Sequence, residues 1–383
     1  MINFSFTEEQ ELLRDQIRRF AAKELRPMYG YWDKNKEFPT TQLNKMSELG
    51  LSGLRIEERY GGNMQSYVTA GIVAEEIAKA DFNCAYFVLV SSLIGDLLTQ
   101  FAHSSLKEYW LPLMAKGEKL IAFALTEPAC GSDSAALLAS AERQGDTYIL
   151  NGEKSSVSLV EAADAVLVFA RVDKIPGYSG IRGFFVPCDL EGVSKTSYNS
   201  LGSKGLGRGS LFLEDVKIPL ENCISKDETA FKMAMIGFDY SRAIIGLMCL
   251  GAAEASLEET VKYTRERTTF NKQLSSNQGV SFPIAENYTF LEAAKLLCYK
   301  TLWLRDTNQE HTKEAAMCKW WPPKLSVDII HECLLTHGHY GYTDEYPFEQ
   351  RLRDVIGLEI GDGTAQIQKI IIARKIIGEE CRP

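Results

Sequence analysis

Residues with the types and spacing that chemistry requires lie near the C-terminal end of the sequence, between positions 357 and 367. Asp362 is followed at once by Gly363 and Thr364, and an apolar run with helical spacing comes next. Gly363 lets the backbone approach a ligand because it has no Cβ. Thr364 is a favourable N-cap, and a helix N-terminus offers free N–H groups and partial positive charge to a phosphate. The segment predicts a carboxylate at the rim of such a site, although an acidic capping turn would have the same sequence.

A second candidate segment runs from position 126 to 133, directly after a strand-like stretch. Loops at strand ends carry function more often than strand interiors do. Gly131 and Ser132 are small enough to admit a planar or phosphorylated ligand, while a simple Pro/Gly turn would also explain them.

Basic and glycine-rich helix ends form two further candidates. Residues 265–272 place several cations around Phe270, which can either stabilise a helix C-terminus or clamp a pyrophosphate. His337 and His339 are two positions apart and do not share a helix face, so a metal pair is not expected. Gly338 between them indicates a helix exit open to a ligand.

The chain divides into three blocks with different predicted secondary structure, and these blocks must position the candidate segments. Thr7 and Gln10 have the spacing of a capping box. Helical spacing then continues to Pro27 and returns at 41–51, 67–80, 84–102 and 106–114, which predicts an all-helical N-terminal domain over 1–118. Strand-like stretches follow at 121–126, 147–150, 165–170, 183–186, 210–213 and 216–219. Asn151-Gly152 is a strong hairpin signal, so 119–230 is predicted to be a β-barrel or sandwich.

From position 231 the helical period returns and persists to the end of the chain. Long amphipathic stretches at 242–265, 279–306, 314–337 and 363–377 predict an antiparallel helical bundle over 231–383. The run Trp320-Trp321-Pro322-Pro323 indicates a packed element around a helix kink.

Composition restricts the function classes. The 383 residues carry a net charge of −9, with a pI near 5.3, which argues against a nucleic-acid surface. The longest apolar runs fall short of a membrane span, and no signal peptide is expected. Nine cysteines are scattered without a C-x-x-C pair, which indicates reduced thiols in a cytoplasmic protein without zinc or disulfides.

Taken together and in order, the segments resemble the FAD-dependent acyl-CoA dehydrogenases from end to end. The markers are Leu125-Thr126-Glu127-Pro128 with Gly131-Ser132-Asp133, Asn151-Gly152-Glu153-Lys154, Arg267-Thr268-Thr269-Phe270 with Gln278, Glu345-Tyr346-Pro347, Arg353-Asp354, and Gly363-Thr364 with Gln366-Ile367. The resemblance implies an α+β fold with an N-terminal helical domain, a middle β domain and a C-terminal four-helix bundle. It also implies a homotetramer that binds FAD partly across subunits and passes electrons to electron-transferring flavoprotein. The absence of a Gly-x-Gly-x-x-Gly after a strand agrees with a flavin acceptor and not a nicotinamide.

The resemblance assigns roles by position. Facing the cofactor are Phe123, Leu125, Thr126, Gly131, Ser132, Ser156, Ser158, Gly338, Thr364 and Gln366, while Arg267, Phe270 and Gln278 reach the FAD of an adjoining protomer. The acyl thioester contacts Leu89, Ser91, Tyr240, Ser241 and Gly363. Asp362 is the base that removes the α proton, with Arg242 beside it.

The sequence departs from the family pattern at four positions, and Asp362, Ser241 and Ser156 are among those assigned roles above. Most relatives have glutamate where Asp362 stands, and Ser241 occupies the alternative base position of a second subgroup. Ser156 replaces a tryptophan against the flavin, and Leu335 replaces a glutamine. Flavin exposure and affinity are therefore less well defined by the sequence than the fold.

An aspartate base resembles the alicyclic branch, the cyclohexanecarboxyl-CoA dehydrogenases of anaerobic benzoate metabolism. The expected reaction is the 1,2-dehydrogenation of cyclohexanecarboxyl-CoA. A 1,4-elimination from cyclohex-1-ene-1-carboxyl-CoA would need an acid in the segment 86–92, and there is none. An acyl-carrier-protein thioester dehydrogenase of secondary metabolism and an oxygen-using oxidase are alternatives. An inactive assembly subunit is a third, and the presence of Asp362, Arg242 and the FAD segments argues against it.

Overall fold

A computed structural model describes residues 5–224 and 230–381. The outer limits of the predicted domains, at positions 1 and 383, fall outside the described residues. The first and third blocks are helical and the middle block is a sheet. The predicted order of a helical domain, a β domain and a second helical domain is therefore confirmed.

Six α-helices make up the first block. They are α1 (Glu8–Phe20), α2 (Tyr29–Asn35), α3 (Thr40–Glu48), α4 (Tyr67–Ala80), α5 (Phe82–Phe101) and α6 (Ser104–Ala115). The predicted capping box is present: Gln10 N–H donates to Thr7 Oγ1 at 3.2 Å, and Thr7 N–H donates to Gln10 Oε1 at 3.0 Å. The pattern that Pro27 interrupts ends in a π-helical turn and a short 3-10 turn before α2. Helix α5 is buried along nearly its whole length, so it forms the centre of this block.

The middle block is one connected sheet of seven strands. Its strands are β1 (Ile121–Ala124), β2 (Ser140–Gln144), β3 (Thr147–Val157), β4 (Ala165–Val172), β5 (Ile181–Pro187), β6 (Val193–Ser197) and β7 (Gly209–Pro219). Strand β4 pairs with β1 and β2 in parallel and with β5 antiparallel. Strands β2, β3, β7 and β6 continue the sheet as antiparallel neighbours. The two strands predicted at 210–213 and 216–219 are one strand, β7.

The hairpin predicted at Asn151-Gly152 is wrong. Both residues lie inside β3, and the chain reverses earlier, at Gly145-Asp146 between β2 and β3. Gly152 has φ +141°, and a Cβ there would lie 2.7 Å from the Cα of Ala139. The glycine is needed because β3 passes close to the residue before β2 at a bulge. An Asn-Gly dipeptide can therefore mark a close backbone contact as well as a turn.

Five α-helices form the third block: α7 (Ala230–Glu266), α8 (Gln278–Asp306), α9 (Thr312–Thr336), α10 (Phe348–Ile360) and α11 (Ala365–Ile376). Helix α10 was not predicted, because its buried face includes the polar residues Gln350, Arg351 and Asp354. A two-stranded hairpin, β8 (Thr268–Thr269) and β9 (Lys272–Gln273), follows α7 and was also not predicted. Pro322 and Pro323 lie inside α9 and are buried.

Two long helices of the core are as apolar as a membrane span. Helix α5 and residues 232–266 of α7 are long and apolar enough by length and composition, with window hydropathies of 1.5 and 1.4. Those windows are 100% and 83% buried, because the helices pack on α4, α8, α9 and each other. Their hydrophobicity is thus used in a core that includes side chains from all three blocks.

Candidate active site

Asp362 lies in the short turn that joins α10 to α11. Asp362 and Gly363 both have left-handed backbone, with φ of +56° and +94°. Aspartate tolerates this region better than most residues, and a Cβ on Gly363 would lie 2.5 Å from Gln368 Nε2. Gln368 Nε2 donates to the carbonyls of Asp362 at 3.3 Å and Gly363 at 3.1 Å. The turn is therefore held in one conformation from inside α11.

Helix α7 brings Ser241 and Arg242 to this turn. Ser241 Oγ donates to Asp362 Oδ2 at 2.8 Å, across 121 positions of sequence. Arg242 Nη1 donates to Asp239 Oδ1 at 2.9 Å, and Arg242 Nε is buried without a partner among the described residues. Burial lowers the pKa of Arg242, and the carboxylates of Asp239 and Asp362 oppose that effect. The described hydrogen bond of the Asp362 carboxylate is thus with Ser241, whereas Arg242 pairs with Asp239 and feels the Asp362 charge.

Lys319 of α9 is a site residue that the sequence pattern did not reveal. Its side chain is fully buried, and Nζ donates to the Leu358 carbonyl at 2.5 Å. That carbonyl is in the last turn of α10, where carbonyls lack intrahelical donors. Burial lowers the pKa of Lys319 to about 8, and the charge of Asp362 is the largest influence that raises it. The signal available in the sequence was a single lysine within an otherwise apolar stretch of helix.

The predicted flavin segments of the middle block meet beside α7. The Phe123 ring lies 5.5 Å from the Phe238 ring, and the Arg242 guanidinium lies 5.9 Å from the Phe238 ring. Ser155 N–H donates to the Thr126 carbonyl at 2.9 Å, which joins the 123–126 segment to the segment containing Ser156 and Ser158. Leu125 is buried and Thr126 half-buried.

Glu127 fixes the end of this segment. Its carboxylate accepts hydrogen bonds from Lys154 Nζ at 2.6 Å and from the N–H groups of Leu138 at 2.6 Å and Ala139 at 3.0 Å. Lys154 also donates to the Leu125 carbonyl at 3.1 Å and is fully buried. Burial lowers the pKa of Lys154, and Glu127 opposes this. The pair holds the loop after β1 against β3.

Several predicted cofactor residues remain open to a ligand. Ser156 is exposed with φ +54° at a register shift of β3, and Ser158 is half-buried. Gly131 and Ser132 are exposed. The tryptophan-to-serine replacement at Ser156 therefore leaves an open surface at this point.

The start of α11 suits a phosphate. Thr364 is the N-cap, as predicted, yet its hydroxyl makes no capping bond within the described chain. The hydroxyl and the first N–H groups are thus available donors, and Gln366 is exposed one turn above. Gly338 has φ +61° and open space where a Cβ would be. Thr364 and Gln366 could therefore hold a phosphate group, and Gly338 has room for a ligand at its own turn.

Arg267, Phe270 and Gln278 are not brought to Asp362. They lie on or beside the β8–β9 hairpin, where all three are exposed, and Phe270 is 98% exposed. Phe270 and Asn271 form the turn with left-handed backbone. Contact of these exposed side chains with the FAD of another subunit stays a prediction.

Four of the predicted substrate residues are buried on α5 and α7. Leu89 and Ser91 are buried on α5. The Tyr240 ring packs edge-on against Tyr67 at 5.1 Å and lies under the Arg305 guanidinium at 5.5 Å. The described contacts of the Tyr240 side chain thus lead away from Asp362, while its neighbour Ser241 reaches it.

No cluster of three or more His, Cys, Asp or Glu suited to a metal occurs within residues 5–224 and 230–381. His337 is buried, its Nδ1 lies 2.8 Å from the Cys333 carbonyl, and its ring stacks on Tyr263 at 4.1 Å. Burial lowers the pKa of His337, as for a neutral packed imidazole.

Comparison with known families agrees with this geometry across the chain. Models of the N-terminal, middle and C-terminal domains of acyl-CoA dehydrogenase match residues 7–118, 122–216 and 231–377. The chain is 34% identical to the caffeyl-CoA reductase-Etf complex subunit CarC of Acetobacterium woodii, over 97% of this chain and 99% of that protein.

Solved structures show the same fold. Butyryl-CoA dehydrogenase from Megasphaera elsdenii superposes with a TM-score of 0.95 at 30% identity, covering 98% of this chain and 100% of that one. The prolyl acyl carrier protein oxidase AnaB superposes with a TM-score of 0.94 at 27% identity, covering 97% and 100%. This chain therefore belongs to the acyl-CoA dehydrogenase family and is an FAD-binding oxidoreductase.

Proposed function

We propose that Asp362 removes the α proton in the α,β-dehydrogenation of a short-chain acyl thioester. One observation carries the proposal: the Asp362 carboxylate accepts a hydrogen bond from Ser241 of α7 at 2.8 Å. Ser241 is followed by Arg242, whose guanidinium lies over the Phe238 ring that also contacts Phe123 of β1. Structural capping alone would not require the buried arginine and serine of α7.

The reaction breaks two C–H bonds and forms one C=C bond. The α proton goes to Asp362, and the hydrogen on Cβ leaves with its electron pair. FAD, when bound, supplies the hydride acceptor. An α proton of a thioester is too weak an acid for a carboxylate in water, so the site must stabilise the enolate oxygen. Hydrogen-bond donors aimed at such an oxyanion contribute about 3 kcal/mol each.

The short-chain assignment is supported by the butyryl-CoA enzyme, whose fold matches over the full chain. The alicyclic substrate is a second candidate, and only the side-chain length at position 362 favours it. Aspartate is one methylene shorter than glutamate, so a wider acyl group or a closer reacting carbon is needed. None of the relatives described above is named for an alicyclic substrate. A carrier-protein thioester is favoured by the similarity to AnaB.

The experiment is anaerobic mixing of the purified holoprotein with a panel of thioesters while the flavin absorbance is followed. Butyryl-CoA is expected to bleach the flavin faster than cyclohexanecarboxyl-CoA. Faster bleaching by the alicyclic thioester would replace the first candidate by the second. Bleaching by butyryl-carrier protein but not butyryl-CoA would select the carrier. If no thioester bleaches the flavin, the proposal is wrong.

We also propose electron-transferring flavoprotein as the electron acceptor, supported by the similarity to a subunit of a reductase-Etf complex. Reduced protein should be reoxidised by that flavoprotein anaerobically, and rapid reoxidation by oxygen alone would indicate an oxidase. A cytoplasmic location stays a prediction, and cell fractionation tests it.

A homotetramer is proposed from the apolar outer surface of the bundle. A cavity of about 470 Å³ there is lined by Leu297, Met317, Trp320, Trp321, Lys369, Ile372 and Ala373. Trp303 and Ile376 are also more than half exposed. Exposed apolar patches of this kind commonly mark sites of protein–protein contact. Light scattering should give four times the chain mass, and a monomer with bound flavin would contradict the proposal.

A further inference from the structure

Asp239 is a buried carboxylate of α7 that the proposed reaction does not use. It precedes Arg242 by three residues, and residues at this spacing share a helix face. Asp239 Oδ1 accepts a hydrogen bond from Arg242 Nη1 at 2.9 Å. Asp239 Oδ2 accepts one from the Thr312 hydroxyl at 2.6 Å. Each oxygen therefore has its own donor, and the orientation of the carboxylate is fixed.

The helix that meets Asp239 suits a negative charge. Thr312 is the first residue of α9, and the first turn of a helix has N–H groups without intrahelical acceptors and a partial positive charge. Lys375 of α11 is a second positive influence: its hydrogen bond with Glu310 raises the pKa of Lys375, and the charge of Asp239 adds to the increase. The surroundings that α9 and α11 give Asp239 are therefore electropositive.

Arg242 is influenced by two carboxylates and bonds to one of them. Within the described parts of the chain, no hydrogen bond or ion pair joins its guanidinium to Asp362, whose carboxylate accepts from Ser241 at 2.8 Å. Burial lowers the pKa of Arg242, and the charges of Asp239 and Asp362 oppose this, with Asp239 the stronger of the two. Arg242 Nε is buried without a partner among the described atoms, so the guanidinium has a donor to spare.

The choice of partner matters for a base, because a carboxylate paired with arginine is stabilised in its charged form and accepts a proton less readily. Lys319 and Tyr86 are the other titratable groups on which the Asp362 charge acts. Burial lowers the pKa of Lys319 to about 8 and raises that of Tyr86 to about 12, and the Asp362 charge favours the protonated form of both. Lys319 donates to the Leu358 carbonyl, and the Tyr86 hydroxyl accepts from Arg208 at 3.3 Å. Arg242, next to Ser241 in the chain, is thus the cation best placed to pair with the base.

We propose that Asp239 is a positioning residue for the dehydrogenation: it holds the Arg242 guanidinium away from the Asp362 carboxylate, which stays free to take up the α proton. The inference rests on the proposed role of Asp362 as the base. Ser241 is compatible with that role, because a neutral hydroxyl orients the carboxylate without adding a positive charge. Asp239 acts through Arg242 and does not itself react.

The test is a double-mutant cycle read from the pH profile of flavin reduction. The anaerobic rate is measured on the holoprotein with a saturating concentration of the thioester that reduces the wild type fastest. Asp239→Asn should free Arg242 to pair with Asp362, so the acid limb of the profile should move to lower pH by about one unit or more. The plateau rate should fall roughly three- to tenfold, because a weaker base removes the proton. In the Arg242→Gln background, Asp239→Asn should move the limb much less, because the cation through which Asp239 acts is gone.

Two further variants complete the test. Glu258→Gln is the matched control, because it removes an exposed carboxylate about five turns further along α7, and it should leave the profile unchanged. Thr312→Val keeps both charges of the pair and removes the bond at 2.6 Å that fixes Asp239. It should move the acid limb in the same direction by a smaller amount, and it decides the question if Asp239→Asn yields no holoprotein.

An acid limb that does not move to lower pH in Asp239→Asn would overturn the inference, even with a slower rate, and would make Asp239 a structural tie between α7 and α9. Equal shifts with and without Arg242, or a shift of the same size in Glu258→Gln, would make the effect one of overall charge and also overturn it. In each of these cases, flavin reduction in the wild type still supports the dehydrogenation. If no thioester reduces the wild-type flavin, the proposed function fails and the inference with it.

Discussion

Replacing Lys319 by methionine should change the pH dependence of stability in a defined direction. The side chain is fully buried, and burial lowers its pKa from 10.5 to about 8. At about 1.4 kcal/mol for each pH unit between those values, keeping the charge in the fold costs on the order of 3 kcal/mol at pH 7. Between pH 8 and 10.5 the folded state releases its proton before the unfolded chain does. The unfolded state then holds more protons, so wild-type stability rises with pH.

Methionine at position 319 has no proton to release. At pH 7 the variant avoids the buried charge but leaves the Leu358 carbonyl without its donor, which costs about 1–3 kcal/mol. The two effects nearly cancel at that pH. By pH 9.5 the free-energy cost of keeping Lys319 charged in the wild-type fold has fallen by about 2 kcal/mol. The unfolding free energy of the wild type relative to Lys319→Met should therefore grow by roughly that amount.

The assay is denaturant unfolding followed by circular dichroism at pH 7 and pH 9.5, with FAD held at one saturating concentration. Lys324→Met is the matched control, because Lys324 is on the same helix and its side chain is more than half exposed, beside Asp328. Its stability relative to wild type should be the same at both pH values. A Lys319→Met difference that is constant or shrinks with pH would refute the assigned titration.

Three further changes test other parts of the site. Glu127→Gln leaves buried Lys154 without its carboxylate, so unfolding free energy should fall by about 3–5 kcal/mol, measured by denaturant titration; a loss under 1 kcal/mol would argue against the pair as a fixed support. Phe270→Ala should leave thermal stability of the apoprotein nearly unchanged but weaken FAD binding at least tenfold in a fluorescence titration, since the ring touches little in its own chain. Equal FAD affinity would remove Phe270 from the cofactor site. Ser241→Ala should reduce kcat roughly tenfold with little change in thioester Kd, because the Asp362 carboxylate loses a donor at 2.8 Å; an effect on Kd alone would make the serine a binding residue.

The sequence identified the features that depend on neighbouring residues. The Asp362-Gly363-Thr364 turn, the Thr7 capping box and most helix positions follow from local spacing, and the structure has them within a few residues. The absence of a capping bond from Thr364 was not predictable, because it depends on how the turn is held by Gln368.

Features that depend on distant contacts were missed. Lys319 meets Leu358 across 39 positions, and Arg208 meets Tyr86 across 122. Helix α10 was missed because its buried positions include charged groups such as Arg351, whose partner Glu259 comes from α7. Such charged residues break the helical spacing of apolar residues that predicts a helix, although they are as buried as the apolar residues of the core. At Gly152 the error was the opposite one. The local sequence predicted a turn, whereas the glycine is needed for a close contact with distant Ala139.

Asp362→Asn tests the central claim, that Asp362 is the base. Asparagine keeps the size of the side chain and can still accept from Ser241, so the variant should fold, bind FAD and shift the flavin spectrum on binding butyryl-CoA. The rate of anaerobic flavin reduction should fall by roughly 10²–10⁴-fold or more, because the proton has no acceptor. Glu359→Gln, which neutralises a half-buried carboxylate in the last turn of α10, should retain most of the rate. Near-wild-type flavin reduction by Asp362→Asn would contradict the account and place the base elsewhere.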